Sequence, residues 1–256
     1  MNWSQVFPTL HRGGSGTGEP HDGPSPPRVR LVPPAVATKV TQWLERAADW
    51  LVAHHVSADS VTWACLAASA LAGLAFAGSA FGIATVLLVA AVLGDALDGM
   101  VARRSHTESE RGALLDASSD RYQEFFVLAG VAVALRGSTF TLAAALFAIA
   151  GSFMVSYGSA RAEARHAPVP PGLMQRAERA VVLCAGAALT AVCLPIAHGL
   201  GLARGFGLLP LTLAVLSIAV FANASAISRL HAIADGLRGG GGQSGASAAS
   251  GSGAGR

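Results

Sequence analysis

The chain has 256 residues, of which 52% are hydrophobic and only 13% charged, with a net charge of +3. Soluble domains usually carry about a quarter charged residues, so this composition points to a bilayer rather than a water-soluble fold. The small positive excess suits an anionic membrane surface and does not argue for nucleic acid.

Residues 1–34 hold no long apolar core of the secretory-signal kind and are rich in Gly, Pro and Ser, which predicts a disordered N-terminal tail. Over residues 35–57, Val36, Val40, Trp43, Leu44, Ala47 and Leu51 recur at helical spacing, with Lys39, Glu45, Arg46 and Asp49 on other faces. This pattern predicts an amphipathic juxtamembrane helix lying at the interface; an ordinary packed helix is the alternative.

A transmembrane domain is expected over residues 58–235. A spanning helix needs roughly 20 apolar residues. Runs of that kind cover 61–78, 81–102, 112–135, 139–157, 180–198 and 205–228. The expected fold is therefore all-α: a polytopic membrane bundle of about six transmembrane helices, preceded by the interfacial helix. Abundant Ala and Gly and only 6% aromatics fit close-packed helices better than a barrel. Residues 236–256 are Gly/Ser-rich and predict a second disordered tail. Cys65, Cys184 and Cys193 sit in apolar runs at no metal-ligand spacing and read as core thiols.

With the N-terminus in the cytoplasm, Arg103, Arg104 and Arg111 fall in one cytoplasmic loop and Arg161, Arg165, Arg176 and Arg179 in another. Arg229 and Arg238 follow the last span on the same side, and the opposite loops hold only Arg136 and Arg204. The positive-inside rule selects this orientation, with cytoplasmic termini in an inner (cytoplasmic) membrane. A site near the basic loops then faces the cytoplasm.

The second span ends AAVLGDALDGMVARR and the third begins RGALLDASSDRYQEF. Each buried aspartate costs about 2.5–3.5 kcal/mol at a span centre, so four of them demand a cavity, a partner or an ion. Asp95 and Asp98 are three apart, and Asp116 and Asp120 four apart, so each pair shares a helix face. A short loop makes the two helices antiparallel neighbours, and both pairs converge toward the cytoplasmic ends. Gathered carboxylates repel and need cations. Their hard oxygens favour Mg²⁺, Mn²⁺ or Ca²⁺ over zinc, and two ions suit phosphoryl chemistry. A structural alternative pairs the aspartates with Arg103 or Arg121. Gly99, Ala102 and Gly112 lie one turn from aspartates and leave space beside them.

Together these residues spell D-x2-D-G-x2-A-R-x8-G-x3-D-x3-D, met by Asp95, Asp98, Gly99, Ala102, Arg103, Gly112, Asp116 and Asp120. The pattern resembles the signature of the CDP-alcohol phosphotransferase family, and span count and basic loops extend the resemblance over about residues 36–235. The resemblance implies that Asp95, Asp98 and Asp116 bind two divalent ions, Mg²⁺ or Mn²⁺, and that Asp120 is both metal ligand and catalytic base. It implies that Gly99, Ala102, Arg103 and Gly112 line a CDP pocket. The segment SADSVT resembles the family's Pro-Asn-x-x-Thr stretch, with Ala58 and Asp59 in place of Pro and Asn and Thr62 matching. The implied reaction moves the phosphatidyl group of CDP-diacylglycerol to a hydroxyl acceptor and releases CMP. A homodimer is implied as well.

The acceptor is read from SY-x3-RAEA, GL-x2-R-x2-R and LLDASSDRY, which resemble the branch using inositol phosphate. Arg161, Arg176 and Arg179 suit a phosphate-bearing acceptor because forked guanidinium donors bind oxyanions bidentately. These arginines also satisfy the positive-inside rule by themselves. Glycerol 3-phosphate or another alcohol is the alternative acceptor. A cation transporter or channel is the alternative from another class, and it requires polar residues through the full membrane depth.

Overall fold

The computed structural model describes residues 33–164 and 172–249, with side chains for all of these except Pro34 and 235–249. The tail expected over 1–34 lies almost wholly outside the described residues, as does the end of the second tail, 250–256. Among the described residues the structure is helical throughout: α1 (Pro34–Ala53), α2 (Ala58–Ala77), α3 (Phe81–Arg104), α4 (Glu110–Ala134), α5 (Thr139–Glu163), α6 (Arg176–Gly199) and α7 (Arg204–Ala249). The backbone of α7 thus continues into the Gly/Ser-rich stretch.

Local chemistry explains the boundaries. Pro34 opens α1 at a position where no amide donor is needed. Ser57 and Ser109 cap α2 and α4 by accepting from the amides of Ser60 and Gly112. Gln175 and Glu178 close a reciprocal capping box at the start of α6. Pro210 lies inside α7, and the next amide, Leu211 N, is satisfied by Thr190 Oγ1 of α6 at 3.1 Å.

Five helices, α2, α3, α5, α6 and α7, are long and apolar enough to cross a membrane. The chain is a polytopic membrane bundle. The run expected as the third span forms α4, which has 25 residues but falls outside that group. Its first four turns carry Glu110, Arg111, Asp116, Asp120, Arg121 and Glu124, more charge than a lipid-facing span tolerates. Helix α4 packs against α2 and α5.

The main core joins Phe76 of α2, Leu88 of α3, Leu128 and Val131 of α4, Leu183 of α6, and Leu211, Val215 and Ile218 of α7. The outer face carries large exposed apolar side chains such as Leu74, Val86, Phe147 and Val220, a belt that needs lipid to cover it. Small residues set how closely helices approach. A Cβ at Gly73 would fall on the Phe126 carbonyl, and one at Gly130 on the Gly73 backbone, so α2 and α4 meet backbone to backbone. Helix α1 packs on α3, burying Leu44 and Ala48 against Ala96, Met100, Val101 and Ala177. Arg104 Nε and Asp49 Oδ1, 2.8 Å apart, add an ion pair across that contact.

Candidate functional site

Helix α2 packs against both α3 and α4 and brings the aspartates together; α3 and α4 do not share a main interface, contrary to the direct antiparallel contact expected from the short loop between them. Asp95, Asp98 and Asp116 each present an oxygen, all within 4.8 Å of one another. Asp95 and Asp98 are buried and Asp116 is half-buried. Asp120 is buried beside them, 7% exposed. Its Oδ1 lies 2.7 Å from Arg176 Nη1, close enough for an ion pair, yet it accepts no hydrogen bond from the protein. Three converging carboxylates plus a buried, hydrogen-bond-free fourth oxygen fit a hard divalent cation well. The cluster can hold such a metal.

Neighbouring side chains orient the carboxylates. Thr62, buried on α2, donates from Oγ1 to Asp98 Oδ2 at 2.7 Å. Gln123 Nε2 lies 3.4 Å from Asp95 Oδ1, and Ser69 Oγ lies 3.4 Å from Gln123 Oε1. Ser69, Gln123 and Asp95 form a buried polar chain across α2, α4 and α3. Ser69 lies two turns after Thr62, and Gln123 and Glu124 lie one turn after Asp120, so helical spacing alone could have placed them at the site. Sequence reasoning missed them because neutral or singly placed polar residues raise no alarm in a helix.

Arg176, at the first position of α6, sends Nη1 to Asp95 Oδ2 at 2.7 Å and to Asp120 Oδ1 at 2.7 Å. It is the cation on the cluster, a place the structural alternative assigned to Arg103 or Arg121. Arg121 Nη1 instead bonds its own helix at the Ala117 carbonyl. No described contact joins Arg103 to an aspartate. Arg179 is 3% exposed and grips Glu124 with a fork, Nε to Oε1 at 2.7 Å and Nη2 to Oε2 at 3.0 Å. Arg161 is exposed on the last turn of α5, with no described contact to the aspartates. Arg229 of α7, not expected from sequence at the site, reaches Ser159 Oγ and the Val155 carbonyl on α5.

The remaining expected residues lie on α3 and α4 near the cluster in sequence. Gly99, Ala102, Arg103 and Gly112 are half-buried along α3 and the start of α4. A Cβ at Gly99 would lie 3.5 Å from Arg103 Nη1. A cavity of about 60 Å³ adjoins the cluster, bordered by Asp95, Arg176, Gln123, Glu124, Arg179 and apolar side chains. That volume takes a few waters. The buried charged groups gather toward one end of the helices, where α3 ends and α4 and α6 begin, and do not track through the membrane depth as an ion pathway would.

A family model described as CDP-alcohol phosphatidyltransferase matches residues 55–221. The chain is 32% identical over 129 residues to archaetidylinositol phosphate synthase of Methanothermobacter thermautotrophicus, covering 50% of this chain and 65% of that protein. It is 34% identical over 143 residues to phosphatidylinositol phosphate synthase of Mycobacteroides abscessus, covering 54% and 59%. The matches thus span about three fifths of these relatives. The fold is similar to crystal structures of Mycobacterium tuberculosis phosphatidylinositol phosphate synthase at 25% identity. With CDP-DAG bound the TM-score is 0.63, covering 74% of this chain and 92% of that one. In complex with manganese and citrate it is 0.64, covering 74% and 88%.

Proposed function

Because this chain belongs to the CDP-alcohol phosphatidyltransferase family, we propose that it transfers the phosphatidyl group of CDP-diacylglycerol to inositol phosphate and releases CMP. The observation that carries this reading is the convergence of Asp95, Asp98 and Asp116 within 4.8 Å, with Asp120 and Arg176 against them. Similarity to inositol-phosphate-type synthases favours that acceptor.

Asp95, Asp98, Asp116 and Asp120 would hold Mg²⁺ or Mn²⁺, with two ions suited to the four carboxylates. Bound there, the metal offsets charge on the pyrophosphate and on the departing CMP. Thr62, Gly99, Ala102, Arg103 and Gly112 would border the CDP moiety, the small residues leaving space beside the aspartates. Asp120 takes the acceptor hydroxyl proton as the acceptor oxygen forms its bond to the lipid-bearing phosphorus and the bond to CMP breaks. Arg176 neutralises Asp95 and Asp120 and presents its remaining donors to the acceptor phosphate. Arg161 and Arg229 supply further positive charge at the same end of the bundle.

On this reading the chain acts as a homodimer in an inner membrane, and the arginine distribution supports cytoplasmic termini and a cytoplasmic site. Helix α4 is the sixth span, its charged turns shielded by α2 and α5. Helix α1 lies at the interface, with exposed Val36, Trp43 and Trp50 toward lipid and Leu44 and Ala48 toward α3. CMP release by purified protein with CDP-diacylglycerol, Mg²⁺ and a panel of inositol phosphate, glycerol 3-phosphate, serine and free inositol tests the reading. Inositol phosphate is expected to give the fastest release. No CMP with any acceptor refutes the activity, and preference for another alcohol refutes the acceptor.

A further inference from the structure

We propose that Glu124 and Arg179 form a buried strut that holds Arg176 against Asp95 and Asp120, making Arg179 a positioning residue rather than a ligand of the acceptor phosphate. Helices α4 and α6 do not share one of the main interfaces of the bundle, and the cavity beside the cluster lies between them. Helix α6 packs on α3, which carries Asp95, so backbone packing sets Arg176 against Asp95 but does not fix α6 relative to Asp120 and Glu124 of α4. The Glu124–Arg179 fork, at 2.7 and 3.0 Å, spans the gap instead.

Arg179 also points Nη1 at the Met174 carbonyl, 3.5 Å away, just before α6. The same segment is pinned by Ser225 of α7, whose Oγ accepts from Leu173 N at 2.9 Å and lies 3.4 Å from Met174 N. Arg176 follows directly, one helical turn before Arg179. A register or tilt change at this end of α6 moves Arg176 off both carboxylates. Arg179 has three of its donor nitrogens turned to protein oxygens, and engaging a phosphate would abandon a buried carboxylate. Arg176 also turns both Nη atoms to Asp95 and Asp120, but its side chain is 17% exposed against 3% for Arg179, so it is the residue of the pair that substrate can reach.

The test uses the detergent-purified full chain and two readouts. Manganese affinity, read from the electron paramagnetic resonance of free Mn²⁺, stands independently of turnover. Arg176→Gln removes a positive charge 2.7 Å from two carboxylates, and should tighten Mn²⁺ binding by about threefold or more. Arg179→Lys and Glu124→Gln should tighten it in the same direction, because Arg176 drifts from the cluster. Arg176→Gln/Arg179→Lys should match Arg176→Gln alone. Wild-type affinity in both single strut variants, or additive shifts in the double variant, would overturn the strut. The variant Glu124→Gln/Arg179→Met leaves no charge unpaired and carries the same comparison should a single variant not fold.

The second readout rests on the phosphatidyl-transfer reading. The KM for inositol phosphate should rise in Arg179→Lys on a wild-type background and show no further rise on an Arg176→Gln background. A further rise of about tenfold there would make Arg179 a direct ligand. Absence of CMP release by the unmodified enzyme would count against the transfer reading, while the manganese comparison would still decide the strut.

Discussion

Asp120→Asn tests the proton-accepting role of Asp120 while the other three carboxylates stay in place. The substitution keeps side-chain shape and removes the charge and the proton-accepting oxygen. Asp120 is not one of the three carboxylates that converge within 4.8 Å, so the Asp95–Asp98–Asp116 cluster stays assembled. Arg176 loses its 2.7 Å ion pair with Asp120 but keeps the one with Asp95 Oδ2, also 2.7 Å. The geometry should therefore survive, and the loss should fall on the chemical step. A positioned general base contributes about 10²–10⁴-fold, which is roughly 3–5 kcal/mol of barrier. The assay is CMP release at saturating CDP-diacylglycerol and acceptor, paired with a CDP-binding titration. The expected outcome is kcat lower by about two to four orders of magnitude with CDP affinity held within a few-fold. Turnover within about tenfold of wild type would refute the assignment of Asp120 as base.

Three further outcomes follow from the same geometry. Thr62→Val removes the 2.7 Å donor to Asp98 Oδ2; Mn²⁺ affinity should fall by about tenfold, as measured by titration of the purified protein. Gly73→Val forces a side chain onto the Phe126 carbonyl at the α2–α4 contact; thermal denaturation in detergent should show a loss of about 1–3 kcal/mol or more, and an unchanged midpoint would contradict that packing. Chelation with EDTA should abolish CMP release, with Mg²⁺ or Mn²⁺ restoring it and Zn²⁺ failing to, as hard oxygen ligands require.

The aspartates were readable in the sequence because their chemistry is costly in a membrane and their spacing is geometric. Three- and four-residue separations put each pair on one face; that α2 packs on both α3 and α4, rather than α3 and α4 packing on each other, was not legible from the short loop. Thr62 was readable by its place in a motif, and the structure sets it directly on Asp98. Arg176 was different. It lies 81 residues from Asp95 in sequence, and a basic residue at the foot of a span has the positive-inside rule as a sufficient explanation. Only the packing of α6 on α3 shows that its guanidinium reaches the carboxylates. Arg179 looked equivalent to Arg176 in sequence, yet one helical turn directs it to Glu124 and away from the cluster. The third span was legible as a helix and not as an apolar crossing, because the residues that build the site are the same ones that lower its hydropathy.

The most direct measurement of the central claim is product stoichiometry. Purified chain would be incubated with CDP-diacylglycerol, inositol phosphate and Mg²⁺, and CMP and lipid product counted by mass spectrometry. The account predicts one phosphatidylinositol phosphate formed per CMP released, with both lost together when Asp95, Asp98 or Asp116 is replaced by Asn. CMP released without the lipid product, or product formation that survives those replacements, would contradict it.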